Sequence, residues 1–184
     1  MKAALVLLLF AASAFAQDQS AIVAAQAACG AKDVKFDAKQ NTTQHPTPQP
    51  ESGKALVYVI GDLGLCSDCS GGKSFSLTDV DDAVVKVGMD GGWVGAIRGS
   101  SYLFFPAEPG AHHLCLNWQS SLAERSRAFA MTNLSAEAGT IYYFRARLFP
   151  GRSGDYFFDL DPVNADEGKY LVASSALSVS HSKK

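Results

Sequence analysis

Apolar and polar residues alternate most clearly from Thr140 to Phe149. Tyr142, Phe144, Ala146 and Leu148 fall on one side of an extended backbone, and Ile141, Tyr143, Arg145 and Arg147 on the other. A period of two predicts a strand with one face on a core. Asp155 to Pro162 repeats the pattern, with Tyr156, Phe158 and Leu160 inward and Asp159 and Asp161 outward. Ala128 to Leu134 is a further strand candidate. Lys54 to Asp62, KALVYVIGD, is apolar at nearly every position, which predicts a strand covered on both faces.

Val84 to Trp118 reads as four short strands cut by tight turns. Asp90-Gly91 is a hairpin signal, because both residue types tolerate positive φ. Arg98 to Ser101 and Pro106 to Gly110 are the other turns. Such close spacing leaves no room for crossover helices, so the expected sheet is antiparallel.

The flanking segments are polar or rich in small residues. Ser20 to Cys29 predicts a short helix, stopped by Gly30, and Asp33 to Asp37 a brief strand. Gln40 to Ser52 carries prolines and almost no apolar residue, as an exposed extended arm does. Leu63 to Asp82 is a long polar insertion in which Ser74 to Leu77 could pair briefly, and Ser120 to Arg127 is a polar connection. Asn164 to Val172 predicts a second short helix, with Asn164 as cap and Glu167 at its third position. Ser174 to Lys184 reads as a flexible tail. The expected fold is all-β: an antiparallel β-sandwich of about eight to nine strands with a short helix near each end. The sandwich domain spans 53–173, preceded by the helix and arm at 17–52.

Residues 1–16 have the form of a secretory leader. Lys2 is the positive start, Ala3 to Ala12 the apolar stretch, and Ala14-Phe15-Ala16 the cleavage site. Its style is bacterial, and it predicts export to the periplasm or beyond. Removing it leaves roughly 170 residues, enough for one domain with a core. No later segment is apolar and long enough to span a bilayer. The formal net charge is −2 and no basic stripe is visible, so nucleic acid is not an expected partner.

Four cysteines in an exported chain predict two disulfides with three connectivities to choose from. Cys115 lies in a predicted core strand and Cys29 ends the N-terminal helix. Joining them would staple that helix to the sheet, worth about 4 kcal/mol by chain entropy. Cys66 and Cys69 would then close a small ring inside the insertion. The other reading of Cys66-Ser67-Asp68-Cys69 is a redox dithiol. Such motifs open a helix that lowers the thiol pKa, and the flanks Gly64-Leu65 and Ser70-Gly71-Gly72 offer none.

A metal site would have to gather Cys66, Cys69, Asp68, His112 and His113. Adjacent histidines on a strand point to opposite faces, so no metal or other cofactor is expected. There is no G-x-S-x-G elbow for a catalytic serine. Asp81-Asp82 and Asp159/Asp161 read as solvated carboxylates rather than a glycosidase pair. Trp93, Tyr102, Phe105, Trp118, Tyr142 and Tyr143 read mainly as core. Tyr143, Arg145 and Arg147 remain as a candidate ligand-binding face, with the arginines suited to an anion.

At Lys54-Ala55-Leu56-Val57-Tyr58-Val59, Met89-Asp90-Gly91, Trp93-Val94-Gly95, Tyr102 and Pro109-Gly110-Ala111-His112-His113-Leu114, the chain resembles a bacterial family. That family is domain of unknown function number 2846, found in secreted proteins and lipoproteins. The resemblance runs from about Lys54 to Leu148. It implies a compact β-sandwich and no established activity. The chain departs from the pattern through its cysteine-containing insertion and lacks the lipobox cysteine of lipoprotein members. The expectation is a secreted, non-catalytic module that binds or scaffolds an envelope or extracellular partner. The alternative is a thiol–disulfide protein acting through Cys66 and Cys69.

Overall fold

Two β-sheets pack face to face in the computed structural model, which describes residues 29–31, 33–63, 83–119, 129–150 and 156–183. The strands are β1 (Lys35–Asn41), β2 (Ala55–Asp62), β3 (Val84–Met89), β4 (Gly92–Arg98), β5 (Ser101–Ala107), β6 (Gly110–Trp118), β7 (Phe129–Ala136), β8 (Ile141–Pro150), β9 (Tyr156–Val163) and β10 (Ala176–Lys183). A single helix among the described residues, α1 (Ala165–Ser174), precedes β10. The large sheet has the order β1-β10-β5-β2-β8-β9 and the small one β4-β3-β6-β7. The predicted leader, the predicted Ser20–Cys29 helix up to its last residue, the Leu63–Asp82 insertion beyond Leu63 and the Ser120–Arg127 connection lie outside the described residues.

Alternation sets what each sheet contributes to the core. Ala55, Val57 and Val59 of β2, Phe144, Ala146 and Leu148 of β8, and Phe158 and Leu160 of β9 point inward from the large sheet. Val85 and Val87 of β3, Ile97 of β4, and Leu114, Leu116 and Trp118 of β6 meet them from the small one. Trp118 stands edge-on to Phe158 at 6.4 Å, tying the layers together. β2 is buried on both faces, as its unbroken apolar run predicts. Leu56, Tyr58 and Ile60 form a second cluster on the outer face, under α1.

The stretch from Val84 to Trp118 does make four strands, but they do not stay in one sheet. β5 crosses to the large sheet after the turn at Gly99-Ser100, and β6 returns to the small one. The small sheet is antiparallel throughout. The large sheet is mixed, which corrects the fully antiparallel expectation. β2 runs parallel to β8, with Leu56 opposite Ile141 and Asp62 opposite Arg147. A parallel pair needs a long return path. Here the intervening strands supply it by passing through the opposite sheet.

The last strand is a second correction. Ala176–Lys183, expected as a flexible tail, is β10, inserted between β1 and β5. It pairs antiparallel with β1 along its whole length, from Lys35 opposite Lys183 to Asn41 opposite Leu177. With β5 it pairs only at Ser101 and Tyr102. Beyond Leu177 it leaves β5 and lies against β4, the edge of the small sheet. There Ser178 Oγ donates to the Ala96 carbonyl at 2.8 Å, and Ala96 N–H donates to Ser180 Oγ at 3.0 Å. Arg98 at the same edge is satisfied likewise: its N–H donates to Ser101 Oγ and its carbonyl accepts from Gln40 Nε2. Side chains thus close a strand edge that backbone pairing leaves open.

Strand ends are sorted by the same registers. β2, β6 and β8 end, and β3, β7 and β9 begin, at the end that carries Asp62, Trp118 and the β4–β5 turn. The turns at Asp90-Gly91 and Glu108-Pro109 lie at the other end. Asp90 and Gly91 have φ of 52° and 82°, the left-handed pair that the Asp-Gly signal predicts.

The capping serines set an expected outcome. Ser178→Ala and Ser180→Ala should each lower unfolding free energy by about 1 kcal/mol, because Ala96 is fully buried and water cannot replace the lost partner. Urea titration of both variants checks this, and midpoints unchanged from the wild type would contradict the edge-closing role.

Candidate functional site

β8 does project Tyr143, Arg145 and Arg147 from one face, the outer face of the large sheet. The chain covers or pairs each of them. α1 lies on this face because Asn164 caps it, accepting from the N–H groups of Asp166 and Glu167. Leu171 and Val172 then pack onto Tyr143 and the β2 side chains. Gly168 sits directly on the Tyr143 ring, where a Cβ would overlap Cβ and Cγ of the tyrosine. Tyr143 is only 8% exposed and stacks on Tyr58 at 5.1 Å. Tyr102 joins them at 6.1 Å from Tyr58, with its hydroxyl buried and unpartnered. Burial, with Tyr143 and Tyr102 alongside, pushes the Tyr58 phenol up to about 12, so it stays neutral.

Beyond the helix the face is charged. Arg145 Nη1 donates to Glu167 Oε1 of α1 at 2.6 Å. Arg147 Nη2 donates to Asp161 at 2.5 Å and to Asp159 at 3.3 Å; on β9 Asp159 stands opposite Arg147 and Asp161 opposite Arg145. The outward carboxylates of β9 therefore balance the outward arginines of β8. Arg147 also lies over the Phe149 ring at 5.1 Å, and Phe157 opposite is 42% exposed. An anion arriving here would have to displace carboxylates already in place.

The outer face of the small sheet holds the second set of residues. Cys29 is bonded to Cys115 of β6, 86 residues away in sequence. This is one of the pairings open to the four cysteines. Cys66 and Cys69 lie outside the described residues. From Cys29 the chain crosses this face as a strap leading into β1. Trp93 Nε1 donates to the Ala31 carbonyl at 2.8 Å, and Lys86 Nζ to the Val34 carbonyl at 3.1 Å. Phe36 and Ala38 of β1 then bury against Ala96. Gln119 reads both backbone groups of Phe36, accepting its N–H at 2.6 Å and donating to its carbonyl at 2.8 Å.

Lys86 has no counterpart among the residues the pattern singles out. It is 5% exposed, with its ammonium 4.3 Å from the Trp93 ring centre. Burial lowers its pKa and Lys35 adds to that, while Asp33 opposes it. The available signal was a lone charge inside the apolar run Val84-Val85-Lys86-Val87. A strand lysine of that kind is either solvated or held by a covering segment, and the strap decides for the second.

The remaining aromatics fall into three separate clusters. Phe105 and Trp118 lie in the inter-sheet core with Tyr142 packed against it, Tyr102 and Tyr143 lie under α1, and Trp93 lies under the strap. His112 and His113 point to opposite faces of β6, as adjacent strand residues must. His112 meets Asp90, and His113 Nδ1 lies 3.2 Å from Asn133 Oδ1. Among the described residues no three metal-ligating side chains gather. A shallow groove of about 460 Å³ lies on the exposed side of β1 and β10 between Asp37, Lys39 and His181.

Two substitutions test this construction. Replacing Cys29 and Cys115 together by serine should cost about 2–5 kcal/mol, measured by chemical denaturation, because an 86-residue closure is lost. Gly168→Ala discriminates by sign. In an open helix it would stabilise by about 1 kcal/mol; pressed against Tyr143 it should instead destabilise by about 1–3 kcal/mol. A stabilised Gly168→Ala variant would mean that α1 does not sit on the ring. No protein-family model, curated protein or solved structure matches the chain.

Proposed function

We propose that the chain is an exported, non-catalytic β-sandwich module that binds or scaffolds a partner in the bacterial envelope. The observation that carries this reading is the Cys29–Cys115 bond, which fastens the N-terminal strap across the small sheet. Such a staple fits an oxidising compartment. The leader-like residues 1–16 point the same way. Among the described residues no helix is long and apolar enough to cross a membrane.

Among the described residues, three side chains that could do chemistry serve the framework. Lys86 holds the strap, Arg145 holds the helix, and Arg147 holds β9. A module built this way acts through surfaces and turns supported by a rigid frame. The resemblance to the secreted family of unknown function agrees with such a role and adds no activity to it.

Expression with the native leader in a Gram-negative host, followed by fractionation, thiol trapping and peptide mapping, tests the reading. The expected result is a shortened chain in the periplasmic fraction, with Cys29 and Cys115 protected until it is denatured and reduced. Cross-linking in envelope extract should then capture a discrete partner. A chain retained in the cytoplasm with both cysteines freely trapped would overturn the proposal. Reversible cycling of Cys66 and Cys69 at a mild potential, with Cys29–Cys115 still oxidised, would replace it with the redox reading.

A further inference from the structure

His112 is held between two groups that only accept hydrogen bonds. Its Nδ1 lies 2.6 Å from Asp90 Oδ2 in the β3–β4 turn. Its Nε2 lies 2.6 Å from the backbone carbonyl of Glu108 in the β5–β6 turn. A neutral imidazole has one N–H and can satisfy one of these contacts. Both are made only by the imidazolium. Asp90 is held as its anion by the bond from His112 and by the His113 N–H, which its other oxygen accepts at 2.7 Å; both lower its pKa. The Asp90 N–H donates in turn to the His113 carbonyl at 2.9 Å. Asp90 thus stays docked on β6 through three bonds, whereas the ring's hold on Glu108 depends on one proton.

We propose that Asp90, His112 and the Glu108 carbonyl form a proton-operated clasp that ties the β5–β6 turn to the β3–β4 hairpin and opens when His112 loses the proton on Nε2. Deprotonation transfers that proton to water and leaves the Nε2 lone pair facing the carbonyl oxygen. The two repel, and the turn at Glu108-Pro109-Gly110 moves off the ring. Nδ1–H stays on Asp90, so the hairpin keeps its place. The turn's other side-chain tie is weak: the exposed Glu108 carboxylate lies 3.5 Å from the half-exposed Lys54, which is also paired with exposed Glu51, while Gly110 at the end of the turn is held in β6 opposite Ala136.

The charged groups facing the ring set the direction. Asp90 comes from one turn and Glu108 from the other, with Lys54 and Glu51 behind Glu108. β6 adds His113, directed to the opposite face, and β7 presents Leu134, which carries no charge. The bond to Asp90, then the contact with the Glu108 carbonyl, raise the His112 pKa above its ordinary 6.5. Closure is therefore complete below 6.5 and is lost as the pH rises through the raised folded-state value. On the acid side, the bonds from His112 and from the His113 amide hold Asp90 below its ordinary 3.8. Its share is present above 3.8 and disappears as the pH falls through the lower folded value. The clasp is closed on the acid side of the His112 titration and loosens on the basic side of it.

Nitrogen NMR of the exported full chain, labelled at histidine and at backbone amides, tests this. Expected at pH 6 is a doubly protonated His112, whose titration midpoint lies above 6.5. The Gly110 amide should shift with the same midpoint, and its exchange protection, corrected for intrinsic pH dependence, should drop about tenfold or more across it. In His112→Gln the Gly110 transition should vanish. If that variant does not fold, the wild-type titration still decides. A single neutral tautomer of His112 at pH 6, or a Gly110 amide indifferent to the His112 titration, would falsify the clasp.

Discussion

The structure depends on closing strand edges where two sheets of unequal size meet. A six-stranded sheet stacked on a four-stranded one overhangs it, and here the overhang curls around β4. Neither β4 nor β1 finds another strand at that corner. A buried backbone group without a partner is costly, so the corner stands only if side chains supply what pairing does not. Ser178, Ser180, Ser101 and Gln40 do so along β4; Gln119, Arg98 and Lys86 do so along β1 and the strap. Most of these bonds link residues more than 50 positions apart, so the corner forms only when both chain termini have come home.

This constraint explains the disulfide and the buried lysine together. Among its described residues, the strap that carries Cys29 makes no ladder hydrogen bonds before Lys35. It is retained by a covalent bond at one end, by Lys86 and Trp93 in the middle, and by Gln119 where β1 begins. Gly88 lets it lie flat, since any Cβ there would strike the Cys29 carbonyl. The framework accordingly absorbs polar residues that an isolated strand would offer to solvent or to a ligand.

The arginine face follows the same logic. Alternation along β8 correctly put Tyr143, Arg145 and Arg147 on one side. What it left open was the neighbour on that side. β9 brings Asp159 opposite Arg147 and Asp161, opposite Arg145, within reach of the same guanidinium, and α1 brings Glu167 to Arg145 and Gly168 to Tyr143. The aspartates were legible as an outward row, but their pairing with Arg147 required the β8–β9 register. The candidate face is thus present as a set of residues and already occupied by the chain itself.

Local chemistry in the sequence determined the all-β class, the Asp-Gly and Pro-Gly turns, the doubly buried β2, the Asn164-capped helix and the opposed histidines. Each rests on side-chain period or on the φ a residue tolerates, and neither needs a distant partner. Only tertiary structure decided the parallel pairing of β2 with β8, the crossing of β5 between sheets, and the strand at the C-terminus. β10 was hidden because its burial runs against its hydropathy: Ser178 is buried to cap Ala96, while Val179 is exposed. A serine buried to complete another strand's hydrogen bonds cannot be told, from its own neighbours, from a serine in a tail. The fold around Val84 to Trp118 was readable because its information is local; the closure of the corner was not, because it is held between residues that meet only after folding.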